Sequence, residues 1–298
     1  MSTLPTYVLI TPARNEARFI ELTIKSVVAQ TFRPSRWIIV SDGSTDGTDD
    51  IVRKYVADYP WIELLRMPER RERHFAGKVY AFNAGYAKLK DLNYEVIGNL
   101  DGEISFDPDY LTNLLSKFAA NPRLGVCGTS YEERNTQYDY RFASVENVPG
   151  ACQLFRRKCF EEIGGYRPIK EGTVDTIAVM SARMRGWETR AFTDKMFRHH
   201  RESDTAQNDM LTARFRRGAK SYAIGSHPIW ELFRAVYYMT RRPYVLGGLA
   251  LFSGYVWSLI RRTDRPVSLE LVAFQRREQM RRLRQLLTGK WMTGSKSS

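Results

Sequence analysis

Residues 37–48 have the sequence WIIVSDGSTDGT, and this stretch decides the fold class. Its first four residues are apolar, which is typical of a strand that is buried on both faces of a parallel sheet. The glycines and short polar side chains that follow predict a turn. Apolar residues at helical spacing from Ile51 to Val56 then predict a helix. The stretch therefore predicts a strand, a turn and a helix in succession.

The same succession recurs along the first two-thirds of the chain. Further strands are predicted at 7–10, 62–65 and 95–100, and further helices at 18–30 and 78–89. This order predicts an α/β fold, a three-layer sandwich with a mostly parallel central sheet and right-handed crossovers. In such sheets, ligands bind beyond the carboxyl ends of the strands. The polar residues at those ends are therefore the candidates for a functional site.

The composition excludes several classes of protein. The 298 residues are 43% hydrophobic and 27% charged, with 20 Gly and 12 Pro. These proportions exclude collagen-like, disulfide-framework and wholly disordered chains. Three cysteines without a CxxC pair indicate a reducing cytosol rather than a disulfide or a zinc site. The first residues lack a basic segment ahead of a long apolar one, so we expect no secretory signal.

The positive charge is concentrated in the last third of the chain. The formal net charge is +13; residues 1–200 contain 28 Lys and Arg against 26 Asp and Glu, whereas residues 201–298 contain 18 against 7. A basic block of this kind is typical of contact with a polyanion, which is either nucleic acid or an anionic membrane surface.

Two segments of this basic region favour the membrane. Residues 244–260 form a largely apolar stretch of 17 residues with an arginine pair at each end, and three glycines and two serines dilute it. Its length is at the short limit of the ~17–25 residues that span a bilayer. From Leu269 the spacing predicts a basic amphipathic helix, which either lies on an anionic membrane or docks on the protein with a solvated arginine face. The neighbouring apolar stretch favours membrane contact.

Carboxylates follow two of the predicted strands. Asp42 lies where its carboxylate can accept hydrogen bonds from a base edge or a ribose hydroxyl, whereas residues 44–48 have the composition of a helix-capping turn. Asp101 and Glu103 flank Gly102, and this pair can bind Mg²⁺ or Mn²⁺, although an acidic turn has the same pattern. No GxGxxG or GxxxxGK[ST] motif follows the first strand, which disfavours a dinucleotide cofactor or a P-loop ATPase.

Two further groups have alternative interpretations. Asp175 lies at the start of an apolar helical segment, where a carboxylate serves either as a helix cap or as a general base. Residues 198–201, with the sequence RHHR, follow a predicted strand. His200 or His199 could bind a metal, or the run could be a basic turn that faces solvent or contacts phosphate.

Over about residues 5–200, the chain resembles the family-two inverting glycosyltransferases with the A-type fold. Each motif alone is loose, whereas the set in this order is specific. The motifs are VLITPARNEARFIELTIKSVVAQT (8–31), WIIVSDGSTDGT (37–48), GKVYAFNAG (77–85), DGE (101–103), GACQLFRRKCFEEIGGYRP (150–168) and VDTIAVMSARMRGW (174–187).

The resemblance implies a nucleotide-diphosphate-sugar donor and a single displacement with inversion at the anomeric carbon. It implies that Asp175 is the catalytic base and that Asp101, Glu103 and His200 (or His199) bind the metal. The residues it assigns to the nucleotide sugar are Thr11, Pro12, Ala13, Asn15, Glu16, Asp42, Lys78, Asp101 and Gly102. Two positions depart from the family pattern, because Glu103 replaces the commoner Asp and Val174 replaces the Glu that often precedes the base.

The predicted function is therefore inverting transfer of a sugar from a nucleotide-diphosphate sugar, a UDP-sugar, to a hydroxyl of a lipid-linked or polysaccharide acceptor in cell-surface glycan synthesis. Residues 1–205 are the expected nucleotide-sugar-binding and catalytic domain, and 206–298 a helical, basic, membrane-associating region. The expected cofactor is Mg²⁺ or Mn²⁺, and the expected location is cytoplasmic, peripheral at the inner face of the cell membrane.

Three alternatives remain. A nucleotidyltransferase of similar fold would release pyrophosphate from a nucleoside triphosphate. A nucleic-acid-binding protein would use the basic C-terminal helix, but its carboxylate clusters would then have no role, so we expect no nucleic-acid partner. An inactive relative would carry Val174 as the mark of a decayed site.

Overall fold

The computed structural model describes residues 3–69, 76–133, 136–137, 144–169, 172–201 and 210–288. The chain divides into two compact units, Met1–Glu202 and Ser203–Ser298. The first unit contains the sheet, and the described part of the second is helical.

One mixed sheet forms the centre of the first unit. Its neighbouring strands follow the order β3-β2-β1-β4-β8-β6-β9-β5, with β7 paired to β6. The first four of these strands are parallel, β8 is antiparallel to both its neighbours, and β6 pairs parallel with β9. The described strands are β1 (Tyr7–Ala13), β2 (Arg36–Asp42), β3 (Ile62–Met67), β4 (Val96–Leu100), β5 (Ile104–Ser105), β6 (Leu124–Glu133), β7 (Thr136–Gln137), β8 (Cys152–Arg156) and β9 (Glu188–His199).

Helices cover both faces of this sheet. Successive strand residues point to opposite faces, so the continuous apolar run of β1 supplies two cores. Tyr7 and Leu9 pack in a cluster with α1, α2 and α4, whereas Val8 and Ile10 pack in a cluster with α3, α5 and α6. The predicted three-layer α/β class is thus confirmed. These helices are α1 (Ile20–Val28), α2 (Thr48–Asp58), α3 (Ala76–Leu89), α4 (Tyr110–Ala120), α5 (Arg157–Glu162) and α6 (Val174–Met184).

The parallel order brings the ends of β1, β2 and β4 to one edge of the sheet. In the register, Ala13 is opposite Ser41, and Ile10 is opposite Asn99. The segments that follow these strands therefore begin side by side. The short strand β5 then pairs antiparallel with the end of β9, so that Ile104 is opposite His199.

The second unit packs its helices closely through glycine. A Cβ atom on Gly254 would overlap the carbonyl oxygen of Phe215, and one on Gly218 would overlap that of Leu251. The glycines that dilute the apolar stretch at 244–260 therefore allow backbones to approach. The helices are α7 (Met210–Ala223), α8 (Pro228–Met239), α9 (Leu246–Ile260) and α10 (Leu269–Leu287).

The basic helix α10 docks within its own unit. Leu271, Val272 and Leu283 are buried, and a Cβ atom on Gly225 would overlap the side chain of Val272. Arg276 Nε donates to the carbonyl oxygen of Gly225 at 3.1 Å. Of the two arrangements expected for this helix, the structure has the docked one. Across the described ranges, no helix is both long enough and apolar enough to span a bilayer.

Candidate active site

The loop after β1 is held by the turn after β2. The backbone N–H groups of residues 15–17 donate to Ser44 Oγ, Thr48 Oγ1 and Asp46 Oδ2 at 3.1, 2.8 and 2.9 Å. Asp46 Oδ1 also accepts from the N–H of Thr48 at 3.1 Å. Although partial burial opposes it, these hydrogen bonds lower the pKa of Asp46. The N-cap of α2 is Gly47, which makes no side-chain cap hydrogen bond, and the side chains of the turn instead order the first loop.

The predicted nucleotide-binding residues of the first loop differ in exposure. Thr11 is fully buried, and its hydroxyl accepts a hydrogen bond from Trp37 Nε1 at 3.0 Å. Ala13 is also buried, whereas Pro12 is partly exposed. Asn15 has a left-handed backbone, and its Oδ1 accepts from the next loop at 2.9 Å. Thr11 and Asn15 therefore shape the loop with their side chains.

Asp42 lies at the end of β2 on the same edge of the sheet. Its carboxylate is buried, and Oδ2 lies 3.8 Å from Nη1 of Arg14. The chain then turns sharply at Gly43, which has a φ of +66°, and a Cβ atom there would lie 2.5 Å from the Cα of Glu69. Asp42 is separated from the end of β4 by the single strand β1.

Asp101, Glu103 and His199 form one cluster. One ligand atom of each lies within 4.8 Å of the others, and all three residues are partly buried. The backbone N–H of Asp101 donates to the carbonyl oxygen of Ala151 at 2.9 Å, which fixes the start of the triplet against the segment before β8. The pairing of β5 with β9 brings His199 to the carboxylates.

The two adjacent histidines face different partners. His199 Nε2 lies 3.4 Å from Glu103 Oε1, and its Nδ1 lies 2.6 Å from the carbonyl oxygen of Arg201. His200 Nε2 instead lies 2.8 Å from Ser105 Oγ, and its ring stacks on Phe19 with centroids 6.2 Å apart. Of the two histidines considered as metal ligands, the structure therefore brings His199, and not His200, to the carboxylate cluster.

Basic side chains offset the negative charge of the carboxylates. Lys78 donates a hydrogen bond to Asp101, and its side chain is 43% exposed. Arg201 pairs with Glu16, and its Nε lies 3.4 Å from Glu103 Oε2. The sequence did not identify Arg201 as a partner of Glu16. The available signal was that Arg201 belongs to the basic run at residues 198–201.

The pKa values reflect this crowding. Burial raises the pKa of Asp101, against the opposing charge of Lys78. Burial and the charge of Glu103 raise the pKa of Glu16 to about 8. Burial opposes ionisation of Glu103 as well, but the hydrogen bond from His199 and the charge of Arg201 lower its pKa. These carboxylates therefore depend on nearby cations.

The two basic groups beside the cluster respond to the same charges. Loss of water around the ammonium group lowers the pKa of Lys78, but the carboxylates of Asp101, Asp175 and Glu103 outweigh this effect, so the pKa is raised. Likewise, the hydrogen bond to Glu103 outweighs burial and raises the pKa of His199. Two carboxylates and an imidazole are a donor set that fits a divalent cation, since carboxylates suit Mg²⁺ and Mn²⁺.

Asp175 lies close to this cluster, in the first turn of α6. The N-cap of that helix is Thr173, with a left-handed φ of 71°. A Cβ atom on Gly150 would overlap Oδ2 of Asp175, and the carbonyl oxygen of Gly150 accepts from Asn99 Nδ2 at 2.9 Å. Gly150 therefore joins the end of β4 to the carboxylate of Asp175. Sequence reasoning missed this role, although Gly150 opens one of the quoted motifs.

Comparison with known proteins identifies the family. The family model described as Glycosyl transferase family 2 matches residues 8–188. The chain belongs to this family. The resemblance inferred from the motifs is thus confirmed, and the matched range contains all of the predicted site except the histidines.

Curated relatives of this family-2 chain are glycosyltransferases. Glycosyltransferase AglE from Haloferax volcanii is 26% identical over 181 residues, which are 55% of this chain and 57% of AglE. Poly-beta-1,6-N-acetyl-D-glucosamine synthase from Staphylococcus aureus is 29% identical over 193 residues, which are 58% of this chain and 44% of that synthase. The chain therefore spans about half the length of these relatives.

Solved structures share the fold. The mannosyltransferase PcManGT from Pyrobaculum calidifontis, in complex with GDP-Man and Mn²⁺, has a TM-score of 0.58 at 19% identity, covering 99% of this chain and 82% of that one. TarS 1–349 from S. aureus, in complex with UDP-GlcNAc, has a TM-score of 0.55 at 13% identity, covering 91% and 78%. The predicted A-type glycosyltransferase fold is confirmed.

Proposed function

We propose that this family-2 glycosyltransferase moves a sugar, with inversion, from a nucleotide-diphosphate sugar to a hydroxyl group of a glycan acceptor. The observation that carries the proposal is the gathering of Lys78, Asp101, Glu103, His199 and Asp175 at one edge of the sheet. Family membership supports glycosyl transfer, and the neighbours PcManGT and TarS bind GDP-Man and UDP-GlcNAc.

Asp101, Glu103 and His199 are the residues that would hold Mg²⁺ or Mn²⁺. Their oxygen and nitrogen atoms are close together, and the ammonium of Lys78 already pairs with Asp101, which indicates a site built for positive charge. We propose His199 here in place of His200. When bound, the cation offsets the negative charge that develops on the departing diphosphate. Arg201, which follows β9, pairs with Glu103 and with Glu16 of the first loop.

Asp175 would act as the general base. Its carboxylate would accept the proton of the attacking acceptor hydroxyl at Oδ1 or Oδ2, which strengthens the nucleophile. Gly150 gives the carboxylate room and fixes its distance from β4. Lys78 pairs with Asp101 and interacts electrostatically with Asp175, and its positive charge would stabilise the donor phosphates.

The neighbouring proteins and the buried carboxylate of Asp42 support the proposed donor and acceptor. A UDP-sugar is proposed as the donor, with Asp42 and the first loop around the nucleoside. The acceptor is proposed to be a lipid-linked or polysaccharide chain, because the curated relatives include a polysaccharide synthase. The cytoplasmic face of the membrane is proposed as the location, supported by three buried free thiols and a basic second unit.

A thermal-shift screen tests the proposal. UDP, GDP, their sugar conjugates and the corresponding nucleoside triphosphates are each added with Mn²⁺, with Mg²⁺ and with a chelator, and the melting temperature Tm is measured. A ligand at about 100 times its Kd stabilises the folded state by ~2.7 kcal/mol, so we expect one nucleotide to raise the Tm by several degrees in a metal-dependent way. A shift by nucleoside triphosphates alone, with release of pyrophosphate, would instead identify a nucleotidyltransferase.

A further inference from the structure

Helix α9 exposes a stripe of large apolar side chains. Its buried residues are the three glycines and Ser258, together with Leu251 and Tyr255. The opposite stripe of the helix is largely apolar and about half exposed or more. Its members are Leu246, Leu249, Trp257 and Ile260, with Ser253 between them. In a helix that borders water, the exposed stripe is normally polar.

Helix α8 has the same arrangement. It buries Glu231 completely, held by Arg234 and by Ser226 Oγ at 2.8 Å. Its exposed stripe follows a spacing of three and four residues and consists of Ile229, Leu232 and Val236. Helix α8 thus buries a Glu–Arg pair and exposes aliphatic side chains, which is the reverse of the usual preference and makes this face a candidate for contact with an apolar environment.

The two stripes lie on the same side of the hairpin that α8 and α9 form. The helices are joined by only six residues, 240–245, and pack together where a Cβ atom on Gly248 would overlap the carbonyl oxygen of Ala235. Val236 follows Ala235, and Leu249 follows Gly248. Each is rotated by about 100° around its helix axis relative to the residue before it. Because the helices run in opposite directions, these two rotations bring both side chains to one side of the pair.

Arginines at both ends of α9 determine how such a face meets a membrane. Arg241 lies over the ring of Tyr237 at 5.3 Å, and Arg261 lies over the ring of Trp257 at 4.4 Å. If the hairpin entered the bilayer tip first, the segment that joins the two helices would enter the hydrocarbon together with its arginines. Burying those charges in hydrocarbon is costly. At 15 residues, or about 22 Å, α9 is also shorter than the bilayer core of about 30 Å. The geometry therefore favours a hairpin that lies flat.

We propose that the α8–α9 hairpin lies in the surface of an anionic lipid bilayer, with its aliphatic and Trp257 side chains among the acyl chains and its flanking arginines among the headgroup phosphates. Basic helices with an apolar face bind anionic interfaces in this way. A second copy of the chain is a poorer occupant, because each copy would bring a surplus of 11 positive charges in residues 201–298 to the contact. The inference specifies which helices would contact the membrane that belongs to the proposed function, and its evidence comes from the second unit alone.

Flotation of the full-length chain with vesicles tests this inference. The vesicles contain phosphatidylcholine alone or with phosphatidylglycerol, and the bound fraction is measured against lipid concentration. Leu232→Ser with Leu249→Ser removes two outward leucines that are each 50% exposed, without changing the charge. The matched control is Leu22→Ser with Leu92→Ser, which removes two first-unit leucines of 40% and 39% exposure.

We expect the wild type and the control pair to bind phosphatidylglycerol vesicles equally and the hairpin pair to bind at least tenfold more weakly, with an unchanged Tm. Brominated acyl chains should quench tryptophan fluorescence in the wild type, and Trp257→Phe should remove most of that quenching. Equal binding by both leucine pairs would overturn the proposal. So would a wild-type dimer that the hairpin substitutions dissociate, without vesicle binding by either form. Since no readout uses nucleotide or transfer, failure here leaves the thermal-shift test of the transferase untouched.

Discussion

At the scale of single residues, His199 and His200 are neighbours with separate partners, and substitution can distinguish them. His199→Ala removes one of the three proposed ligand atoms, so we expect the Mn²⁺-dependent rise in Tm with nucleotide to be lost. His200→Ala removes a ring that contacts Ser105 and Phe19, and the rise should persist. Calorimetric titration of Mn²⁺ into both variants measures the difference. Equal loss in the two variants would remove His199 from the proposed site.

Asp175→Asn tests the proposed base. The amide cannot accept the proton of the acceptor hydroxyl, so we expect transfer to fall by a factor of ~10²–10⁴ while the Kd for nucleotide stays the same. Release of nucleoside diphosphate in the presence of acceptor measures the rate. Asp194→Asn is the control, because it removes a carboxylate that instead pairs with Lys117. Unchanged turnover in the Asp175 variant would exclude it from the mechanism.

Some residues of the candidate site could be predicted from the sequence, and others could not. Asp101 and Glu103 follow a strand that its apolar run already marks, so their place at the sheet edge could be expected. Which histidine joins them depends on the register between β5 and β9, and no local pattern encodes that pairing. The contact of Arg201 with Glu16 joins residues 185 positions apart. Such a contact exists only once the sheet has formed.

At the scale of elements, the contact of α7 with α9 depends on Gly254. Alanine is favoured over glycine in an isolated helix by ~1 kcal/mol. Here its Cβ atom would overlap the carbonyl oxygen of Phe215, so we expect Gly254→Ala to destabilise the protein by ~1–3 kcal/mol. Ser253→Ala, on the exposed side of the same helix, should stay within ~0.5 kcal/mol of the wild type. Urea unfolding measures both; a stabilised Gly254 variant would contradict the close packing.

The stabilisation that comes from the contact between α4 and β9 should depend on pH. Partial burial opposes ionisation of Asp194, but hydrogen bonds from Lys117 at 2.7 Å and Asn113 at 3.1 Å lower its pKa below the ordinary 3.8. The stabilisation is therefore present above pH 3.8 and is lost as the pH falls through the lowered value. We expect Asp194→Asn to cost ~0.2–1 kcal/mol at pH 7 and progressively less as the pH falls below 3.8. Unfolding free energies of both proteins against pH give the comparison; a pH-independent difference would contradict it.

The elements themselves show where sequence patterns are sufficient. The run WIIV could be assigned to a buried strand because both of its faces are covered by helices. For α10, the same spacing of leucines fitted a membrane surface or a protein surface equally well. Which of the two surfaces α10 contacts depends on the rest of the fold. In the structure α10 contacts a protein surface, because Val272 packs against Gly225. Likewise, periodicity alone cannot reveal that α8 and α9 turn their apolar stripes outward.

At the scale of the whole molecule, the charge asymmetry attracts any polyanion, and salt separates the two kinds of partner. Between 50 and 200 mM salt, a protein with 6–10 phosphate contacts loses ~10³–10⁵ in affinity for DNA. We expect duplex DNA binding, measured by fluorescence anisotropy, to disappear over this range. Vesicle binding should weaken far less, because apolar contacts are not screened. Parallel loss of both would favour the nucleic-acid interpretation of the basic region.

The glycines between α7 and α9 also bear on how the second unit forms. Each glycine costs an isolated helix ~1 kcal/mol, and α9 contains three of them. On its own, α9 would therefore be a weak helix, and its backbone hydrogen bonds should become persistent only when α7 lies against it. Amide protons of the two helices should then exchange with deuterium at a common slow rate, as one cooperative folding unit rather than as two segments that fray separately.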